Sequence, residues 1–319
     1  MNYSLSHKTK EFFWLLIKLS LVIGSGYYIY LKLAKNEEIY FIDFYQKLIK
    51  NDLFSTKTLL FFSFLSIFNW FLEILKWQNL ASFCKKTNFK DAAIQSLASL
   101  TASLITPNRI GEYGAKALYF EKKSRKKIVV LNFIGNFYLL IATLFFGFIG
   151  FTYFIIQQPT EINFLRIFRC VILVFCIIFT LFIIRKHIHF KISYLKKTCI
   201  FFKKMPLNLH LKIMLFSFIR FIIFSHQFYF LLLFLHPDIL YIDAISSIAS
   251  MYLITSITPM LSIFDLVLKS SVAIWVFSFF NIEPHTIVTI TTLMWILNFV
   301  FPASIGSYFV ITFKPNFIK

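Results

Sequence analysis

Long apolar stretches alternate with short polar ones along the whole chain. Apolar runs cover 12–33, 58–77, 128–156, 164–184, 213–235, 261–280 and 285–313. Each is long enough for a helix that crosses a bilayer, which needs roughly 20 residues. Another stretch behaves differently. It starts at Asp91, breaks at Pro107, and is followed by Arg109, Glu112 and Lys116 before the chain turns apolar again up to Phe120. The piece before the proline is too short to span, yet the charged residues after it sit between two apolar segments.

Composition fits this pattern. The 319 residues are 58% hydrophobic and 20% aromatic, and only 15% are charged, against about 25% in soluble domains. The fold class expected is an all-α polytopic membrane protein. The many Phe, Ile, Lys and Asn match an AT-rich genome, so a single Phe carries no functional weight. The net charge of +19 does not indicate nucleic acid, because the basic residues flank apolar runs as the positive-inside rule describes. Cys84, Cys170, Cys176 and Cys199 form no CxxC pair, so neither disulfide nor metal nor another cofactor is expected. The run 12–33 is read as a retained helix, since no small-residue cleavage site follows it.

The basic residues also set orientation. Lys8 and Lys10, the segment 78–90, the run EKKSRKK at 121–127, residues 185–212 and the tail are rich in Lys and Arg. The connections 157–163, 236–242 and 281–284 contain none. The basic set, including both termini, is therefore expected on the cytoplasmic side. Both 78–90 and 121–127 then lie on one side, and 91–120 must enter and return. A re-entrant hairpin with its tip near Pro107 satisfies this, and so do two short tilted spans. Non-helical backbone at that depth needs cover from protein or a wet cavity.

The second half repeats the first. Asp91-Ala92 aligns with Asp243-Ala244, and Ile105-Thr106-Pro107 with Ile257-Thr258-Pro259. With one inserted residue, Glu112 meets Asp265 and Lys116 meets Lys269. Phe62-Ser63-Phe64 likewise meets Phe216-Ser217-Phe218, and Glu73 meets Gln227. The second hairpin, 243–280, lies between two outside loops and enters from the opposite face. The expectation is two inverted-topology repeats, 1–162 and 163–319, with about six full spans and two re-entrant broken-helix hairpins, or about eight hydrophobic segments. Inverted repeats with helices broken near the midplane mark transporters, with substrate at the repeat interface.

The first break has chemistry suited to an anion. Pro107 ends one half-helix and suits the start of the next. Residues 108–111, beginning with Asn108, are expected to offer free backbone N–H groups at a positive helix end. Arg109 adds a fork that matches phosphate. Gly111 and Gly114 permit close approach of a ligand or a second helix. Glu112 can pair with Arg109 or with Lys116, so these residues form a headgroup contact, a salt-bridged clasp, or both. The second break keeps Pro259, Asp265 and Lys269 but has Leu261 in place of the arginine. Among other polar residues in spans, Glu73 and Arg220 rank first because they are ionisable. Asn69, Asn132, Asn136, His226, Gln227 and Asn298 are interhelical hydrogen-bonders or path-lining groups, and Lys76 is expected to snorkel to the interface. Segments 39–54 and 188–204 carry apolar residues at helical spacing and suit interfacial or linker helices.

The stretch LTASLITPNRIGEYGAKAL, residues 100–118, resembles the transmembrane region of lysylphosphatidylglycerol synthases, the flippase-like domain family. Pro107, Arg109, Gly111 and Glu112 match its first motif. Pro259 and Asp265 fit the second, from which the glycines are missing. The resemblance implies a stand-alone member without the synthase domain and a lipid flippase-like activity, not aminoacyl transfer. The leading expectation is thus a translocase of phospholipid or a lipid-linked amphiphile in a bacterial cytoplasmic membrane. Glu73, Glu112 or Asp265 would carry protons in a gradient-driven version. The rivals are an intramembrane headgroup transferase with Glu112 as base, and a non-transporting membrane partner of a synthase.

Overall fold

The computed structural model describes residues 55–104, 106, 109–158, 201, 202, 204–257 and 265–313, together with Ile23. The run 12–33 apart from Ile23, the run 164–184, the segment 39–54, nearly all of 188–204, and Pro107, Asn108 and Pro259 lie outside these residues.

Every described element is helical: α1 Thr56–Ser82, α2 Phe89–Leu104, α3 Ile110–Leu118, α4 Lys122–Gln157, α5 Leu207–Leu235, α6 Tyr241–Ile257, α7 Asp265–Ser278, α8 Pro284–Trp295, a π turn Ile296–Val300, and α9 Phe301–Thr312. Four helical stretches are long and apolar enough to cross a membrane: α1, α4, α5 and the continuous run 284–312. At 1.5 Å per residue, α1 alone is about 40 Å long, against a hydrocarbon core of about 30 Å. Their outward faces carry Phe64, Ile67, Phe133, Ile149, Leu215 and Ile305, all exposed. Water would not tolerate so continuous an apolar surface, and lipid does.

Local sequence sets the ends. Ser55 caps α1, its Oγ accepting from Thr58 N at 3.3 Å. Asn88 Oδ1 accepts from Asp91 N at 2.7 Å as α2 begins. α4 starts inside the basic run and continues as apolar sequence, while Pro284 opens α8 at a position where its missing N–H costs nothing.

α2 and α3 form a hairpin. They pack on each other, and a Cβ on Gly111 would lie 2.3 Å from Ala102 O. α6 and α7 are a second broken pair in mutual contact. Small residues let these pieces sit against the long helices. On α9, a Cβ at Gly306 would be 2.2 Å from Leu97 O of α2. On α4, one at Gly150 would be 2.7 Å from Ala249 Cβ of α6. One apolar cluster joins α4 to α8 with Phe62 of α1, and another joins α1, α3 and α4 around Trp77, Leu80 and Leu131.

The π turn is fastened to α1. Phe301 N–H donates to Ile296 O, and Pro302 has no N–H to give. From α1, Ser66 Oγ donates to Leu297 O at 2.6 Å and Trp70 Nε1 to Asn298 O at 3.1 Å.

Candidate functional site

A cavity of about 350 Å³ lies among α1–α7 and the π turn. Its wall brings together seven of the residues singled out in the sequence: Glu73, Arg109, Glu112, Lys116, Arg220, Asp265 and Lys269. Asn69, Asn136 and Asn298 also line it. The rest of the wall is largely apolar or aromatic, with Leu100, Leu139, Phe221, Phe224 and Tyr252.

Each carboxylate has a cationic partner. Glu73 on α1 accepts from Arg220 Nη1 of α5, and Lys76 Nζ lies 2.6 Å from the same oxygen. Arg220 Nε donates to Asn69 Oδ1 at 3.0 Å. From there amides relay the link: Asn69 Nδ2 donates to Asn298 Oδ1 at 3.2 Å, and Asn298 Nδ2 to Gln227 Oε1 at 2.9 Å. α1, α5 and the π turn are thus joined by one polar network. Lys76 does not snorkel. Its side chain is 2% exposed and turned inward to its ion pair with Glu73.

The two broken pairs place an acid and a lysine one helical turn apart. Lys116 Nζ lies 2.8 Å from Glu112 Oε1 and donates to Asn132 Oδ1 at 2.8 Å. It also stands 4.3 Å above the Trp77 ring. On α7, Lys269 Nζ lies 2.9 Å from Asp265 Oδ2. The i,i+4 spacing explains both pairs.

Arg109 is different. It caps α3 with φ 55° and ψ 30°, left-handed backbone that costs a residue other than glycine about 1–3 kcal/mol. Glu112 takes Lys116 as its salt-bridge partner, and among the described residues Arg109 has no hydrogen bond from its guanidinium and no carboxylate within 4.0 Å. Its Cζ lies 4.6 Å from the centroid of Phe299, and Lys269 Nζ lies 5.4 Å from the same ring.

Two expectations about the break are corrected. The Gly111 N–H is not free: it donates to Thr106 Oγ1 at 2.9 Å. The helix start is therefore partly closed by its own loop, the Glu112 N–H also being used, by Arg109 O at 3.0 Å. Gly111 does not line the cavity either. It is small because α2 lies against it. Gly114 meets nothing within 4 Å, so no close approach explains it.

Sequence reasoning missed Phe299, Ser96 and Trp70. Phe299 is one of 44 phenylalanines, and no spacing distinguishes it. Ser96 is buried on the cavity wall, and its Oγ has no partner among the described residues. His226 lies off the cavity, half-buried, with Nε2 2.9 Å from Tyr241 OH. Among the described residues no three His, Cys, Asp or Glu side chains gather as a metal site.

No family model, curated protein or solved structure matches the chain.

Proposed function

We propose that this protein is an integral-membrane translocase for a phospholipid or lipid-linked amphiphile, in the manner of the flippase-like domain family. The carrying observation is the cavity itself. Charged and amide side chains form one part of its wall and apolar side chains another, as an amphiphile's headgroup and chains require, within a bundle whose outer surface suits lipid.

Further support comes from the two broken pairs. In α3 and α7 the aligned Glu112–Lys116 and Asp265–Lys269 pairs face one cavity, where an inverted repeat puts its substrate. In this reading α2–α3 and α6–α7 are re-entrant hairpins entering from opposite faces. The membrane is the bacterial cytoplasmic one, with both termini inside. Glu112 gives its carboxylate to Lys116, and His226 lies off the cavity. Both facts favour movement of a headgroup over chemistry on it.

The test is transport by the full chain in vesicles of bacterial phospholipids, read as loss of protection of inner-leaflet fluorescent lipid from a membrane-impermeant quencher. Wild type should expose the inner pool, and Lys269→Gln should slow that exposure. Protected lipid at every headgroup tried, with product formed once a soluble headgroup donor is added, would replace the translocase by a transferase.

A further inference from the structure

The cavity carries more positive charge than its own carboxylates answer. Arg109, Lys116, Arg220 and Lys269 line it, and Lys76 stands behind Glu73. Against these five cations there are, among the described residues, three carboxylates: Glu73, Glu112 and Asp265. The chain segments at the two breaks, 105, 107, 108 and 258–264, contain no ionisable side chain. The excess is two positive charges at a depth where an unanswered charge is costly.

That excess is localised. Glu73 is shared by Arg220 and Lys76, and Glu112 and Asp265 are held by the lysines one turn on. Arg109 has no carboxylate within 4.0 Å among the described residues, only the longer-range fields of Asp265 and Glu112, and it shares the Phe299 ring with Lys269. Two cations gathered on one ring repel each other unless an anion joins them. Ser96 Oγ, buried and unpartnered among the described residues, adds a donor on the same cavity wall.

We infer that the cavity binds a dianionic phosphate, a phosphomonoester or diphosphate, held between Arg109 and Lys269 over Phe299. A phosphomonoester carries about −1.5 to −2 at pH 7, its second pKa being about 6. An ordinary phosphodiester brings one charge. A zwitterionic or lysylated headgroup brings an ammonium as well, and every carboxylate in the cavity is already taken. The substrate is therefore not the cationic lipid that the family resemblance suggests. This inference rests on the reading of the cavity as a headgroup site. The dianion itself is either lipid-borne or free.

The experiment is binding to the purified full chain in detergent, with phosphatidic acid, phosphatidylglycerol, phosphatidylethanolamine and inorganic pyrophosphate as probes. Phosphatidic acid should bind about tenfold more tightly than either of the other lipids, the value of one added charge-assisted contact. Its advantage should shrink from pH 8 to pH 5.5 as the monoester takes up its second proton. Arg109→Gln and Lys269→Gln should each remove the preference, and Arg109→Lys should keep part of it, which controls for folding. Pyrophosphate competing as well as phosphatidic acid would keep the dianion site but identify a free anion, against a lipid translocase. Equal binding of phosphatidic acid and phosphatidylglycerol would overturn the dianion inference. So would a preference unchanged by both glutamine variants. Either result leaves translocation itself to be decided by transport in vesicles.

Discussion

The two broken helix pairs use the same sequence device for different ends. In α3, Lys116 lies one turn after Glu112. In α7, Lys269 lies one turn after Asp265. The ion pairs measure 2.8 and 2.9 Å. Lys116 lines the cavity but is held tightly: the side chain is 1% exposed, with Asn132 and the Trp77 ring as further partners. Among the described residues Lys269 has Asp265 as its ion-pair partner and lies 5.4 Å from the Phe299 ring centroid, and its side chain is 24% exposed. Spacing guarantees a pair, and surroundings decide whether that pair is a strut or a working surface. The first lysine fastens its hairpin to α1 and α4. The second remains available to a ligand.

The sharpest break of this comparison is Lys116→Ala. It leaves the Glu112 carboxylate and the Asn132 carbonyl without their buried cation, a loss worth about 3–5 kcal/mol. Detergent-solubilised protein should lose its monodisperse peak on heating well below wild type, or fail to accumulate. A smaller contrast lies within α3. Gly111→Ala places a methyl against Ala102 O and should cost about 1–3 kcal/mol. Gly114→Ala has open space and should gain about 0.5–1 kcal/mol from the better helix residue. The same heating series measures both, and equal midpoints would mean that α2 yields to the added methyl. The smallest effect on stability is expected for Lys269→Ala, at most about 1 kcal/mol for a partly exposed pair. Co-purified phosphate-bearing lipid, weighed by mass spectrometry, should nevertheless fall for this variant. Unchanged lipid with a large stability loss would make the second lysine a strut like the first.

Much of this was legible in the sequence, and for a definite reason. The start of α1 and the ends of α4 and α5 fall within two residues of the limits of the apolar runs 58–77, 128–156 and 213–235, whereas α4 and α5 start six residues earlier, in polar or basic sequence, and α1 runs five residues further. The interruption between α2 and α3 follows from Pro107 among residues that otherwise favour helix. The acid–lysine pairs follow from a spacing of four. Local rules cover all of these. What stayed hidden depends on distant neighbours. Glu73 and Arg220 are far apart in the chain, and nothing in either segment specifies the other. Lys76 looks like a residue near a helix end, and its burial goes with its ion pair to Glu73, which the distant Arg220 shares. Gly111 left open whether a ligand or a second helix comes close, and only the distant Ala102 of α2 decides for the helix.

The π turn at 296–300 gives one helix a residue to spare. A π turn holds one residue more than the α-helix around it, and each residue of an α-helix advances the chain by about 100°. The extra residue is absorbed within the wide turn, so deleting one residue between Ile296 and Val300 would let the helix close into regular turns and leave Ala303 and Gly306 facing Thr101 and Leu97 of α2. The same deletion inside α9, before Gly306, has no spare residue to remove. It would rotate everything after it by about 100° and bring larger neighbours against α2. A one-codon deletion would thus be absorbed at the π turn and act as a dial turned by a fixed step a few residues later.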